Sequence, residues 1–134
     1  MKNRLAQKIT SALVLVFASA TAWQVSAKEI SQEQLQQVMK NDKQVVLLDV
    51  RTVEEFEEAH IPNAVNIPHK ELKARLAELS GAQNTQIILY CRSGKRAAIA
   101  KQILVESGFN QLDHLTGDFN GWSSNNLPLN KGSK

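Results

Sequence analysis

Cysteine is nearly absent from this sequence: its 134 residues include only Cys91. The chain therefore cannot form an internal disulfide. Its length allows at most one domain, and no internal repeat, low-complexity stretch or second-domain linker interrupts it. With 22% charged and 43% hydrophobic residues, the composition has an ordinary globular balance, which excludes a disordered or collagenous chain.

Acidic residues are absent before Glu29, so the net positive charge of the chain lies in its N-terminal segment. The formal charge is +3, from 16 basic and 13 acidic residues. Three of the basic residues are Lys2, Arg4 and Lys8, so that residues 28–134 carry 13 of each sign. From residue 28 onward the chain is formally neutral, and we expect no global attraction to nucleic acid or to a membrane surface.

The first 27 residues have the build of a secretory signal peptide. A basic segment, 1–8, precedes an uncharged apolar segment, 9–22, and residues 25–27 end in small side chains suited to cleavage. The alternative is a membrane anchor, but the strongly apolar part, 12–20, is shorter than the roughly 20 residues that cross a bilayer. We expect cleavage after Ala27, with a second possible site after residue 22, and export to a bacterial periplasm.

Helix and strand signals alternate from residue 28 to the end. Short apolar runs predict strands, whereas capping residues and apolar spacing of three or four predict helices. The predicted strands are 45–50, 64–68, 86–90 and 111–115, and the predicted helices are 31–39, 53–58, 71–79 and 97–109, followed by a short element at 118–122. Strands separated by helices imply right-handed crossovers. The expected fold class is α/β: one domain, 28–134, with a small, mainly parallel sheet of about five strands between helices.

Three of the helices carry a more detailed prediction. Ser31 and Thr52 are each followed by Gln or Glu three residues later, which is the pattern of a capping box. In the helix 53–58, Val53 and Phe56 are expected on the inner side. In 71–79, three leucines at helical spacing give one apolar face.

Cys91 follows the predicted strand 86–90 and opens a short loop, CRSGKR. In parallel α/β sheets, ligands bind beyond the carboxyl ends of the strands. Gly94 lets this loop curl so that backbone N–H groups point at the sulfur, backed by the positive end of the following helix. Such surroundings favour a thiolate. An inert buried thiol is the alternative, but it does not explain why a thiol, a glycine and three cations coincide here.

The three cations are Arg92, Lys95 and Arg96. Within five residues of chain they predict a site that attracts an anionic substrate and the anionic product that it leaves behind. Such a cluster on its own is often a solvated surface, so the prediction depends on its place beside Cys91.

Three segments of the sequence resemble the rhodanese, or sulfurtransferase, domain family. They are LLDVRTVEEFEEAHIPNAVNIP (47–68), ILYCRSGKRA (88–97) and LTGDFNGW (115–122). They stand in family order at family-like spacing, and with the helices between them they cover about 29–130. The resemblance implies a rhodanese-like three-layer fold in a single-domain, exported member.

The resemblance also implies a ping-pong transfer of sulfur. Cys91 would attack the sulfane sulfur of a donor such as thiosulfate, sulfite would leave, and cyanide or a thiol would take the sulfur from the resulting persulfide. The substrate-binding residues would be Arg92, Ser93, Gly94, Lys95 and Arg96. No metal or organic cofactor is needed. The implied partners are a small anionic donor and a thiol or cyanide acceptor, with a periplasmic protein as a possible acceptor.

Loop length separates this interpretation from phosphatases and arsenate reductases. Phosphatases of related fold place Arg six positions after the Cys, whereas here that position is Ala97 and the arginine is Arg96. An arginine directly after the Cys, here Arg92, resembles the thiosulfate type more than the mercaptopyruvate type.

Four residues outside the loop complete the interpretation. Asp49 and Arg51 occupy the family's Asp-x-Arg and are expected to form a buried pair that either supports the loop or has a purely structural role. Asn63 and Asp118 stand where the family commonly has glycine. Asn tolerates a positive φ, whereas Asp118 is expected to place a carboxylate near the mouth of the site.

Two other functions stay open at this point. A non-enzymatic rhodanese-fold module could bind a periplasmic partner or carry sulfur as a persulfide, and it would also keep Cys91. A thiol redox protein would need an external thiol, because the chain holds no resolving cysteine.

Overall fold

The computed structural model describes residues 28–41 and 44–133, so the predicted signal peptide at 1–27 lies outside the described residues. The elements, in chain order, are β1 (Lys28–Ile30), α1 (Gln32–Lys40), β2 (Val45–Asp49), α2 (Val53–Glu58), β3 (Ala64–Asn66), a short 3-10 helix (Leu76–Leu79), β4 (Gln86–Tyr90), α3 (Lys95–Glu106), β5 (Leu112–Leu115) and α4 (Asp118–Ser124). None of the helices in this part of the chain is long and apolar enough to span a bilayer.

The five strands form one sheet in the order β1-β5-β4-β2-β3, and every neighbouring pair is parallel. The chain moves outward from β4 to β5 in one direction and from β2 to β3 in the other. The expected α/β fold with a parallel sheet is confirmed. Its central strand is β4, so the residue that follows β4 lies at the middle of the sheet's carboxyl edge, where such folds bind ligands.

A hydrophobic core lies on each face of the sheet. Successive side chains of a strand point to opposite faces, and Leu89 and Tyr90 at the end of β4 enter different cores. Leu89 packs with Leu104 of α3, whereas Tyr90 packs with Leu35 of α1 and Trp122 of α4. The molecule therefore has three layers, and the end of β4 is anchored from both sides.

Both predicted capping boxes form. The side chains of Ser31 and Thr52 accept the backbone N–H three residues later, and the Gln or Glu there returns a bond to the cap. The prediction for Val53 was wrong: Phe56 is buried, but Val53 is 41% exposed. Val53 is the first residue of a six-residue helix, so its side chain lies beside the helix entry and lines a surface cavity instead of the core.

The predicted helix at 71–79 was also wrong in type. Its chain runs through turns into the 3-10 helix, and several N–H groups, those of Ala74, Glu78 and Ser80 among them, bond the carbonyl three residues back. Tight winding still buries Leu72 and Leu79. The apolar spacing therefore identified two buried leucines and a third, Leu76, that is only partly buried, but tertiary packing selected a shorter element.

Strand β1 carried no signal in the sequence, because three residues are too few to show a period. It pairs with β5 at the edge of the sheet, with Glu29 opposite His114. Sequence patterns had located four strands, and β1 is the fifth.

Candidate active site

Cys91 lies where β4 ends and the loop to α3 begins. Its side chain is 1% exposed. Gly94, the N-cap of α3, has φ of 108° and donates its N–H to Cys91 Sγ at 3.0 Å. A positive φ of this kind favours glycine, and it turns the loop so that one backbone donor faces the sulfur. The structure thus brings Cys91 and Gly94 together, with one backbone hydrogen bond to the sulfur among the described residues where the sequence predicted several.

The start of α4 holds this loop from behind. Phe119 donates its N–H to the Cys91 carbonyl at 2.9 Å, and Asn120 donates to the Arg92 carbonyl at 3.1 Å. The Cys91 N–H in turn donates to Asp118 Oδ1 at 2.9 Å. Three hydrogen bonds therefore tie the first two residues of the loop to one turn of α4.

Asp118 does not occupy the position that the sequence suggested. It is 3% exposed and sits behind the loop, so the expectation of a carboxylate at the mouth of the site was wrong. Its φ of 53° is the left-handed conformation that glycine adopts more readily. Asn63, the other departure, has φ of 66°, as its tolerance of positive φ allows.

Two of the three loop cations are paired with Glu55. Arg96 donates to both oxygens of this carboxylate, at 2.6 and 3.0 Å, and Arg92 Nε donates at 2.9 Å. The pKa of Glu55 is held well below its usual range, first by the hydrogen bond from Arg96 and then by those from the Thr52 N–H and Arg92. Glu55 is therefore anionic at any ordinary pH and offsets part of the positive charge around Cys91. Lys95 is exposed.

Asp49 and Arg51 form a buried pair, with side chains 0% and 1% exposed. Arg51 donates to both Asp49 oxygens, at 2.6 to 3.0 Å, and to the Ala59 carbonyl at 2.8 Å. Its guanidinium also lies 4.0 Å from the centre of the Phe119 ring. These bonds do not go to the loop itself. The pair reaches Cys91 through Phe119, whose backbone N–H bonds the Cys91 carbonyl.

His114 bridges two carboxylates next to the loop. Its Nε2 lies 3.0 Å from both oxygens of Asp118, and its Nδ1 lies 2.9 Å from Glu29 Oε1. Asp118 first and then Glu29 raise the pKa of His114 to about 9. At neutral pH this histidine is an imidazolium.

A cavity of about 410 Å³ opens beside Arg96. His69 and Lys70 contribute to its wall together with Val53 and Pro68. Burial, then the charges of Arg96 and Lys70, lower the pKa of His69, so this histidine is neutral at pH 7. The wall of the cavity therefore carries two basic side chains, Arg96 and Lys70, and two acidic ones, Glu54 and Glu71.

Two further residues have structural places. His60 stacks on Phe56 with ring centres 3.7 Å apart, and its Nδ1 lies within hydrogen-bonding distance of the Phe56 carbonyl. Trp122 is 1% exposed in the core and donates to the Pro128 carbonyl.

Sequence reasoning missed the site contacts of Glu55, Glu29 and His114. The sequence pattern assigned Glu55 only to the helix cap. A glutamate that accepts the cap N–H still has acceptor capacity on its carboxylate for a second partner, and this was the available signal. Glu29 lies 85 residues from His114, and no local pattern links residues so far apart.

Comparison with known proteins identifies the family. Residues 31–125 match the model of the Rhodanese-like domain. An Allochromatium vinosum protein named Sulfurtransferase is 31% identical over 101 residues, which are 75% of this chain and 92% of that protein. YrkF of Bacillus subtilis, named as a candidate sulfur carrier protein, is 36% identical over 98 residues, 73% of this chain. The chain spans only 52% of YrkF.

A solved structure gives the same result. The crystal structure of a thiosulfate sulfurtransferase from Pseudomonas aeruginosa superposes with a TM-score of 0.72 and 28% identity, covering 81% of this chain and 21% of that one. The family model covers well over half of the sequence, and the superposition extends the likeness to the fold. The chain belongs to the rhodanese-like domain family of sulfurtransferases and related proteins.

Proposed function

We propose that this protein is a thiosulfate sulfurtransferase in which Cys91 carries the transferred sulfur. The Cys91 thiolate attacks the sulfane sulfur of thiosulfate. The S–S bond of the donor breaks, sulfite leaves with the bonding electron pair, and a cysteine persulfide remains. Cyanide or a thiol then attacks the outer sulfur, and the Cys91 thiolate is regenerated. Thiocyanate or an acceptor persulfide is the second product.

The observation that carries this proposal is the 3.0 Å contact between the Gly94 N–H and Cys91 Sγ at the start of a 12-residue helix. A backbone donor and the positive end of a helix both stabilise negative charge on the sulfur. Thiolate and persulfide are the two anionic states through which the reaction passes. The Gly94 N–H bonds the thiolate sulfur directly, whereas in the persulfide the negative charge lies on the outer sulfur, one atom further from this donor.

Arg92, Lys95 and Arg96 support an anionic donor. Thiosulfate and sulfite are dianions, and guanidinium groups bind such oxyanions through paired hydrogen bonds. Because Arg92 and Arg96 are held by Glu55, the donor has to share these arginines with a carboxylate. This arrangement keeps the cations oriented before the donor arrives, at the expense of some affinity.

The same reaction can stop at its first half. A persulfide carrier would accept one sulfur on Cys91 and pass it only to a particular protein. The name of the Bacillus subtilis relative favours this second candidate, whereas the name of the Pseudomonas aeruginosa relative favours thiosulfate turnover. Export after cleavage at Ala27 and a periplasmic thiol or protein acceptor belong to the same proposal. Detection of the cleaved chain in a periplasmic fraction would test the export.

Steady-state kinetics test the proposed activity. Purified protein with thiosulfate and cyanide should form thiocyanate over many turnovers, with the parallel double-reciprocal lines of a ping-pong reaction. Cys91→Ala and Cys91→Ser should both give only the uncatalysed rate. A single stoichiometric turnover with no further product would reject the enzyme in favour of the carrier.

A further inference from the structure

The residue behind the cysteine loop is unusual in both its backbone and its burial. Asp118 has φ of 53° and is 3% exposed. A buried carboxylate in a left-handed conformation is costly on both counts. It accepts the Cys91 N–H at 2.9 Å, which places a carboxyl group directly against the backbone of Cys91.

His114 compensates that charge, and the geometry identifies its protonation state. Both ring nitrogens face carboxylate oxygens, with Nε2 at 3.0 Å from Asp118 and Nδ1 at 2.9 Å from Glu29. Ionised carboxylates only accept hydrogen bonds, so both nitrogens must carry protons. The raised pKa of His114, about 9, agrees with this geometry. A cation therefore lies between two anions, one on β1 and one on α4.

This cluster bonds the cysteine loop at the Cys91 N–H and also lies close to Gly94. A methyl group added at the Gly94 α-carbon would lie 3.3 Å from Asp118 Oδ2 and 3.8 Å from the His114 ring. Gly94 is the residue whose N–H faces Sγ, so the cluster supports both the start of the loop and its sulfur-facing turn.

We propose that Glu29, His114 and Asp118 form a positioning unit that holds the cysteine loop in shape and, through its balance of charge, sets the reactivity of the Cys91 thiolate. Asp118 alone would disfavour an anionic sulfur nearby, since like charges repel. The imidazolium of His114 offsets that repulsion, and Glu29 orients the ring. The unit touches no substrate and acts only through the loop.

The charged groups that face His114 come from three elements. They are Glu29 on β1, Asp118 on α4, and Lys101 on α3, which lines with His114 a cavity of about 160 Å³. The cavity gives solvent access to the imidazole, so its proton can equilibrate with water. Above the pKa of His114 the unit loses its cation, and both carboxylates are left uncompensated.

Alkylation of Cys91 by iodoacetamide tests the unit without any sulfur donor. Its result is therefore independent of the test of the proposed function. The biological role of the unit rests on that proposed function. Cys91 is the sole cysteine, and every adduct therefore reports on it. The rate is measured from about pH 6 to pH 10 for the wild-type protein, His114→Gln, Asp118→Asn and the double variant. Asn keeps an acceptor for the Cys91 N–H and tolerates positive φ.

In His114→Gln we expect about 3- to 10-fold slower alkylation at pH 7, with the half-maximal rate moved to higher pH, because Asp118 is no longer offset. Asp118→Asn in the same protein should restore the rate, since the buried carboxylate behind the loop is then removed, whereas Glu29 is 59% exposed and is solvated by water. The wild-type profile should show an inflection near pH 9 that His114→Gln lacks.

Asp113→Asn is the matched control. Asp113 is next to His114 on β5, but its carboxylate accepts a hydrogen bond from Gln86 and not from a residue of the cysteine loop. It should give the wild-type profile. The proposal is overturned if His114→Gln alkylates like the wild-type protein. It is equally overturned if the double variant stays as slow as His114→Gln while all proteins melt at similar temperatures.

Discussion

At the scale of single residues, Glu55 links the fold to the site. It closes the cap of α2 with Thr52 and pairs with Arg92 and Arg96. A carboxylate that holds two cations competes with any anion that approaches them. Under the proposed function, the affinity for the donor therefore depends on a residue 36 positions before Cys91 along the chain.

Glu55→Gln removes this competing charge and keeps an acceptor for the cap. We expect the KM for thiosulfate to fall by about 3- to 10-fold at low salt, and the gain to shrink as salt screens the arginines. Steady-state kinetics at two salt concentrations measure both effects. Glu54→Gln removes an exposed charge from the same helix and should leave KM near its wild-type value; a raised KM in Glu55→Gln would mean that the carboxylate is needed to orient the arginines.

Arg51 is a buried charge whose removal should lower the stability of the protein. Arg51→Leu leaves Asp49 without its partner in the core, and we expect the free energy of unfolding to fall by about 3–5 kcal/mol. Urea denaturation measures it. Arg75 also pairs with two glutamates, but at the surface, and Arg75→Leu should cost less than about 1 kcal/mol. Equal losses in the two variants would contradict the structural account of the pair.

The sequence was sufficient to predict most of these residues but not their contacts. Cys91 and Gly94 follow from the local pattern at the end of an apolar strand, whereas the Asp49–Arg51 pair follows from the resemblance to the rhodanese family. The bonds from Arg96 to Glu55 and from His114 to Glu29 join residues 41 and 85 positions apart. Such contacts depend on strand order, which no local pattern of charges contains.

At the scale of elements, the turn between β4 and α3 determines the position of Cys91 Sγ. Strand β4 and helix α2 match their predicted bounds, because one is a continuous apolar run and the other starts at a capping box. The segment 71–79 does not, because three leucines at helical spacing also satisfy a 3-10 turn once packing requires a shorter path.

Two glycines at helix boundaries, Gly81 and Gly94, allow the effect of backbone strain to be measured apart from the effect of the geometry of the site. Gly81 and Gly94 both have positive φ, but a side chain at Gly81 meets nothing within 4 Å, whereas one at Gly94 meets Asp118 and His114. Gly81→Ala should destabilise the protein by about 1 kcal/mol from strain alone. Gly94→Ala should cost more and also lower kcat, because the loop must move away from Asp118.

Thermal melting and thiocyanate kinetics on the two variants check this prediction. Full activity in Gly94→Ala would contradict the role given to the turn. A strong loss of activity in Gly81→Ala would indicate that strain far from the loop is transmitted to it.

At the scale of the whole molecule, the charges are balanced overall and concentrated locally. Residues 28–134 are formally neutral by sequence, with 13 basic and 13 acidic groups. The structure adds that two loop arginines are themselves paired. Under the proposed function, the attraction for an anionic donor is therefore short-ranged and arises from the loop cations at the carboxyl edge of the sheet.

Stability should depend on pH through His114 and Glu55 in opposite directions. Folding raises the pKa of His114 from 6.5 to about 9, so its contribution is complete below pH 6.5 and is lost as the pH rises to 9. Folding lowers the pKa of Glu55 from 4.5, so its contribution is present above pH 4.5 and is lost in acid. Urea midpoints should therefore be highest between these limits.

His114→Gln should flatten the alkaline side of this profile and leave the acid side unchanged. Glu55→Gln should do the reverse. An alkaline decline of wild-type size in His114→Gln would assign the effect to another group.

Formation of a persulfide on Cys91 from an anionic sulfur donor is the first step of the proposed reaction. Mass spectrometry of the intact protein after treatment with thiosulfate detects this step. A gain of about 32 Da that cyanide reverses, and that is absent from Cys91→Ala, is the predicted result. An unchanged mass in the wild-type protein, or the same gain in Cys91→Ala, would contradict it.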